Sequence, residues 1–365
     1  MKGKTILILS PQPWHHLFVS KHHYAKALAE SNTVYFISAP TYGFFTNFRI
    51  ENVLEGLSEL SYSIPVFGWI KFKLPTLYRK YIRYKLKQLL DKKIGMIDWC
   101  VDFGCYQQYN SMDFVAAKRK IFFPVDDFEN LPIHPRGSDL IVTVSRNIQN
   151  KFSKGTCYFI NHGLASEFAQ NARVALVEGK AWYRSTKVRV GYAGNLFLRF
   201  LDTKIFAQII LSNPQIEFHL FGNREWNKDN EDHKEWNSVL EKSNNVIIHG
   251  LLTTESLVKE YNKMDAFILC YKPDNKNYHG ENSHKIMEYL STGKVTVASH
   301  ISAYENSDLL VMPDSQNNTV MPALFQNVIR NLDEFNSIKR MNVRRTFALD
   351  NTYSKQIERI EALLA

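Results

Sequence analysis

Lys285 and Glu288 stand three apart in the run Tyr278-His-Gly-Glu-Asn-Ser-His-Lys-Ile-Met-Glu-Tyr-Leu-Ser-Thr-Gly293, which leads into Val295-Thr-Val-Ala-Ser299. The run reads as a polar loop, a helix and a buried strand. At that spacing the two side chains share one helix face. Asn282 or Ser283 is placed to cap the helix, because a short side-chain oxygen accepts from first-turn amides. The free amides and the helix dipole favour an anion, a phosphate above all. A cation beside that phosphate, with a carboxylate one turn deeper for two ribose hydroxyls, suits a nucleoside diphosphate. Gly293 ends the helix. The plainer alternative is a capped amphipathic helix whose lysine and glutamate are solvated.

Two other places in the chain carry groups able to move protons. A loop over residues 11–19 holds Trp14, His15 and His16, and the helix expected over 20–29 begins with Lys21, His22 and His23. Histidine changes charge near neutral pH, although a loop of polar residues is also what plain solvation requires. Pro124-Val-Asp-Asp-Phe-Glu129 puts Asp126 and Asp127 at the carboxyl end of a strand expected over 120–125. There they are placed for acid or base work, or for capping a helix. In the second half, Gly191 and Gly194 end a strand over 187–194 and let a ligand approach the backbone. The loop from Asn195 that follows carries Arg199.

Short apolar runs bounded by turn residues supply the strands that position these groups. They fall at 5–10, 33–39, 61–65, 98–104, 120–125, 138–145 and 157–163, and again at 187–194, 216–222, 245–250, 265–271 and 295–299. Helices are expected over 75–90, 203–211 and 353–364, with Ser145 capping a short one. Strands alternating with helices specify a doubly wound α/β sheet, here twice. Residues 169–186 read as a linker. No Gly-x-Gly-x-x-Gly marks the first turn, so a dinucleotide site is not expected there.

The chain has 365 residues, 45% of them apolar, which suffices for about two packed domains. Its net charge of +9 favours anionic partners. Cys100, Cys105, Cys157 and Cys270 form no paired spacing, which points to a reducing compartment and no zinc site. The apolar run after Met1 is too short for a signal peptide, and no window reaches the ~20 apolar residues of a membrane span. Residues 67–93 are rich in cations and aromatics. On the helix over 75–90, Leu77, Tyr78, Tyr81, Ile82, Leu86, Leu89 and Leu90 form an apolar stripe among Arg79, Lys80, Arg83, Lys85 and Lys87. This is a core helix with a solvated basic face or an anionic membrane-surface patch, with Phe67, Trp69 and Phe72 dipping into the interface. No nucleic-acid module accompanies it, so nucleic acid is not an expected partner.

Lys285-Ile-Met-Glu288-Tyr-Leu with Gly293 resembles the nucleotide-sugar signature of GT-B glycosyltransferases. Ser283 and Thr296 stand where many relatives carry proline, and the longer acidic signature of other branches, whose first glutamate would fall at Gly280, is absent, with Glu281 one residue off. Val125-Asp-Asp-Phe and Ile160-Asn-His-Gly163 resemble a strand end and a Pro-Asn-Gly turn of the same family. The fit is to family-four-like transferases of the teichuronic-acid and exopolysaccharide type. The resemblance implies two Rossmann-like domains facing a cleft: an acceptor domain over 1–170, a nucleotide-sugar domain over 187–349, and a helix over 350–365 crossing back to the first. It implies transfer of a hexose from a nucleotide diphosphate-sugar, a UDP-sugar first, to a glycan or lipid-linked acceptor in bacterial surface polysaccharide synthesis. Gly194, Asn195, Arg199, Asn282, Ser283, His284, Lys285 and Glu288 would hold the donor. Asp127, then Asp126, then His22 or His23, would deprotonate the acceptor if configuration inverts. The family needs no metal and no resident cofactor. The place implied is the cytoplasm, extending to the inner membrane face. A nucleotide-sugar epimerase of the same fold and a non-catalytic nucleotide-sugar-binding subunit are the alternatives.

Overall fold

The computed structural model describes the whole chain except residues 16–17, 67, 105, 127–130, 132–134 and 273–281. The chain forms two compact units, Met1–Gly163 with Tyr353–Ala365, and Leu164–Thr352.

The first unit opens with β1 (Thr5–Leu9), α1 (Ser20–Ala29) and β2 (Thr33–Ile37), the strand–helix–strand start that the apolar runs specify. β1 runs parallel to β2, with Ile6 opposite Val34, and Ile6 to Leu9 are fully buried. Next come β3 (Thr41–Tyr42), β4 (Asn47–Leu54) and β5 (Leu57–Ile64). β4 and β5 form an antiparallel hairpin of which the sequence showed only the end. β4 is exposed along most of its length, so it carries no alternation to read. β5 contains the buried Glu59, which breaks its apolar pattern. Glu59 is inside because it accepts the Trp14 amide at 2.8 Å and pairs with His15 at 3.7 Å.

The remaining elements of the first sheet are α2 (Ile70–Lys73), α3 (Pro75–Lys93), β6 (Ile97–Asp102), α4 (Tyr106–Tyr109), β7 (Ala117–Phe122), β8 (Leu140–Thr143), α5 (Arg146–Asn150) and β9 (Cys157–Phe159). The strand order is β3-β5-β2-β1-β6-β7-β8-β9, with β4 beside β5. Ser145 caps α5 by accepting the Ile148 amide. On α3 the buried stripe is narrower than the sequence pattern: Tyr78, Ile82, Leu86 and Leu90 face the core, while Leu77 is exposed. None of the described helices is long and apolar enough to cross a membrane.

The second unit begins earlier than its first strand. The stretch read as linker holds α6 (Ser166–Val177), whose Phe168, Ala169, Ala172 and Ala175 are buried. The extended residues after α6 are tied down by Asp265, which accepts from Trp182 Nε1 at 2.8 Å, Ser185 Oγ at 2.5 Å and the Arg189 amide at 2.8 Å. That partner lies some 80 residues away, beyond the reach of local pattern. Five parallel strands follow: β10 (Arg189–Ala193), β11 (Glu217–Phe221), β12 (Val246–Gly250), β13 (Ala266–Leu269) and β14 (Val295–Ala298), in the order β12-β11-β10-β13-β14. The helices are α7 (Thr203–Leu211), α8 (Glu231–Lys242), α9 (Thr254–Asn262), α10 (Lys285–Thr292), α11 (Met321–Arg330), α12 (Leu332–Phe335) and α13 (Ile338–Leu349).

The last helix, α14 (Tyr353–Leu364), belongs to the first unit. Tyr353 stacks on His23 with centroids 5.1 Å apart and meets the Tyr24 ring edge-on. Gly163 leaves the room this ring needs, since a Cβ there would run into it. The amino terminus pairs with Glu361 at 2.7 Å.

Candidate active site

The second unit brings Lys285, Glu288 and Gly194 together through α10. Gly293 closes this helix in the left-handed conformation, φ 81°. Two buried arginines of α13 complete that end: Arg344 donates to the Gly293 carbonyl at 2.9 Å and Arg345 to the Thr292 carbonyl at 3.3 Å. Cations at a helix carboxyl end offset its dipole as well as bonding its free carbonyls. Midway along, the Tyr289 hydroxyl accepts the Ala193 amide at 2.8 Å and so fixes α10 to the end of β10. At the amino end, Lys285 Cε lies 3.3 Å from where a Gly194 Cβ would be. The lysine therefore crosses directly over the strand-end glycine.

The N-cap differs from the expected one. His284, in helical conformation, holds that position and makes no side-chain cap bond. Ser283 contributes its carbonyl, which accepts the Ile286 amide at 3.0 Å. Asn282 Oδ1 instead accepts from the Tyr304 hydroxyl at 3.4 Å. The helix starts one residue later than a cap at Ser283 would have it, so His284 comes within 3.8 Å of Glu288, one turn on. Gly280 and Glu281 lie outside the described residues.

Glu288 is nearly buried, its side chain 13% exposed. Burial pushes its carboxyl up to about 7, against the pull of the Lys285 charge and of the Tyr261 hydroxyl, which donates to Oε2 at 3.4 Å. Tyr261 is fully buried, with Phe168, Phe221, Phe267 and Tyr289 rings around it. Sequence reasoning missed this residue. It sits on α9 in no motif, and only the fold carries its hydroxyl to Glu288.

Gly194 and Gly222 end neighbouring strands with φ near 150°, a region side chains rarely adopt. A Cβ on Gly222 would land on the Gly194 carbonyl, well inside van der Waals contact. Gly222→Ala is expected to destabilise the second unit by about 2–4 kcal/mol through clash and backbone strain. Gly250→Ala is the control: its φ is 72° but nothing stands within 4 Å of its Cβ position, so only the conformational cost of about 1–2 kcal/mol applies. Equal losses in urea unfolding of the two variants would exclude the tight contact.

Asn195 turns the loop after β10, its Oδ1 accepting the Phe197 amide at 2.9 Å. Arg199 is exposed on this loop with its guanidinium 4.4 Å over the Phe200 ring. It shares the loop with Gly194 and Asn195. The loop is held by Trp236 Nε1 on the Leu196 carbonyl and by the Leu201–Tyr271 bridge.

In the first unit, His22 has a different role from the expected proton shuttle. It is fully buried between the rings of Phe18 and Phe36. Its Nδ1 accepts the Val19 amide at 3.1 Å and its Nε2 lies 3.4 Å from the Pro13 carbonyl. It thus caps its own helix, the part an N3 glutamate plays in a capping box. His23 is buried against Tyr353, and Trp14 is core rather than loop lining. His16 and Asp127 lie outside the described residues. Asp126 keeps an accessible surface, yet surrounding protein withholds water from its carboxyl. That desolvation raises its pKa, and the Lys21 charge opposes the rise. Lys21 is buried and bonded to the Gln12 side-chain oxygen. His162, buried too, meets Ser20 Oγ at 2.9 Å through Nδ1.

Two doubly wound units, with the last helix returned to the first, make the GT-B glycosyltransferase fold, and solved structures of that class match the chain end to end. An α,α-trehalose-phosphate synthase from Burkholderia xenovorans, in complex with glucose-6-phosphate, matches at TM-score 0.70 and 11% identity, over 100% of both chains. A glycosyltransferase from Rickettsia africae matches at 0.66 and 11%, over 100% of this chain and 97% of the other. Anabaena HepE, in complex with UDP and glucose, matches at 0.64 and 12%, over 98% and 99%. No family model matches the chain, and no curated protein matches its sequence.

Proposed function

We propose that the protein is a glycosyltransferase that moves a hexose from a nucleotide diphosphate-sugar to a glycan or lipid-linked saccharide. The carrying observation is the crossing of Lys285 over Gly194 with Glu288 one turn deeper on the same helix. Lys285, with the positive end of the α10 dipole behind it, neutralises the leaving diphosphate, whose charge grows in the transition state. Glu288 accepts from the ribose hydroxyls. Asn195, Arg199, Asn282, Ser283 and His284 lie on the two segments around that position and complete the donor site. Asp126 or Asp127 takes the acceptor proton. The reading requires no metal and no resident cofactor. A UDP-sugar is the first donor to test, since HepE carries UDP in its complex. Surface polysaccharide synthesis at the inner face of a cell membrane is the setting, with the cations of residues 67–93 drawn to anionic lipid.

A thermal-shift screen of nucleoside diphosphates and their sugars tests the donor site, because a ligand that binds only the native state raises apparent stability. Stabilisation by one base, lost in Lys285→Ala, is the expected result. No shift with any nucleotide would remove the reading. Product analysis with the stabilising donor then separates transfer from epimerisation and from binding alone.

A further inference from the structure

The first unit exposes large apolar side chains on two segments that pack together. Phe44 and Phe45 follow β3 and are 91% and 80% exposed; Trp69, Phe72, Leu74 and Leu77, around α2 and the start of α3, are 58%, 81%, 51% and 60% exposed. The segments are joined at their bases. The Tyr42 hydroxyl meets the buried Tyr78 hydroxyl at 3.1 Å, and a Cβ on Gly68 would stand 3.5 Å from the Tyr42 ring. The apolar tips therefore protrude from an anchored base. Isolated exposed apolar residues need no explanation, but a cluster of this size does.

The charges around it choose the occupant. From Pro65 to Leu90 the sequence contains Lys71, Lys73, Arg79, Lys80, Arg83, Lys85 and Lys87 and not one carboxylate. Some of these are engaged: Arg83 bonds the Tyr109 carbonyl and Lys87 pairs with Asp91. Lys71, Lys73 and Lys80 are exposed beside the aromatic tips. A protein partner with an apolar face would leave these cations facing apolar surface. A bilayer carrying anionic headgroups meets both needs, since the rings enter the acyl boundary while ammonium groups stay at headgroup depth.

We infer that Phe44, Phe45, Trp69, Phe72, Leu74 and Leu77 form a wedge that inserts into an anionic lipid surface, with Lys71, Lys73 and Lys80 holding its rim. The inference rests on the reading of this face as membrane-directed and deepens it, adding Phe44 and Phe45 from a second segment, with Leu74 and Leu77, to the inserting surface. It is independent of the sugar chemistry.

Cosedimentation with phosphatidylcholine vesicles, with and without phosphatidylserine, over a salt series tests it. The full chain is expected to bind the anionic vesicles and to keep a bound fraction when salt has screened the charges. Phe44→Ser/Phe45→Ser/Phe72→Ser should lose that salt-resistant binding by roughly tenfold or more, because each buried ring contributes to partition. Trp69 fluorescence should shift to the blue on binding, and Trp69→Phe should abolish the shift. The circular dichroism spectrum and melting temperature of the triple variant should equal those of the unaltered chain, which shows that the variant is folded. Complete release by salt, with the triple variant binding like the unaltered chain, would overturn insertion and leave charge attraction standing. Failure of the unaltered chain to bind at low salt would overturn both. A dimer in light scattering that the triple variant converts to monomer would make the wedge a self-association face and overturn the proposal.

Discussion

Asp126→Asn is expected to cut sugar transfer by ~100-fold or more, the usual size of a general-base contribution, while donor affinity is kept. Asparagine keeps the shape and removes the basic oxygen. The environment of Asp126 adds a second expectation. Its carboxyl is raised by desolvation, and the Lys21 charge opposes that rise. A base works only when deprotonated, so the acid limb of the rate profile should lie above the range of an ordinary aspartate. Lys21→Met removes the opposing charge and should move that limb to still higher pH. If Asp126→Asn transfers normally and Asp127→Asn does not, the role belongs to the neighbour. If both transfer normally, or the product retains the anomeric configuration of the donor, a simple carboxylate base in this segment is excluded. His22 is a poor substitute, because both of its ring nitrogens face backbone groups.

Glu288→Gln should change stability and affinity in opposite directions. The folded protein holds the Glu288 proton up to about pH 7, whereas an unfolded carboxyl releases it near its ordinary value of 4.5. Between those values the folded state binds more protons than the unfolded state. This side chain's contribution to stability therefore falls as pH rises through the window and is flat above it. At pH 8 the buried charge costs up to about 3 kcal/mol, which the neutral glutamine does not carry. The ligand-free variant should accordingly be the more stable protein at pH 8, and no different near pH 4. Nucleotide binding should move the other way. A carboxylate accepts from both ribose hydroxyls and glutamine does not, so the variant should lose roughly 2–3 kcal/mol of affinity. In the unaltered chain affinity should also fall below pH 7, because the bound ribose competes with a proton; the variant should show no such dependence. Urea unfolding and calorimetry from pH 5 to pH 9 would decide it. Parallel stability profiles would show that Glu288 does not titrate in this window, and equal affinities would remove its contact with ribose.

Both experiments probe positions where a residue's type was legible and its surroundings were not. Lys285 and Glu288 were readable because helical spacing alone puts them on one face. The strands β1 and β13 were readable because a strand buried on both faces reads as a near-continuous apolar run. Gly293 was readable as a helix end because the left-handed cap favours glycine. These are local properties, fixed by a few neighbouring residues.

What the tertiary structure decided involves pairs far apart in the chain. Whether His22 shuttles protons or caps a helix depends on Phe36 enclosing it from β2. Whether residues 169–186 are linker or helix depends on Phe168 finding Tyr261, and on Asp265 gathering Trp182, Ser185 and Arg189. The charge state of Glu288 depends on burial and on the Tyr261 hydroxyl, neither visible in its own helix. On α3, composition shows an apolar stripe, but only packing tells the buried Tyr78 from the exposed Leu77 beside it. The physical reason is common to all four. Backbone geometry sets which side chains share a face, whereas desolvation, hydrogen-bond satisfaction and exposure depend on whatever the rest of the chain brings to that face.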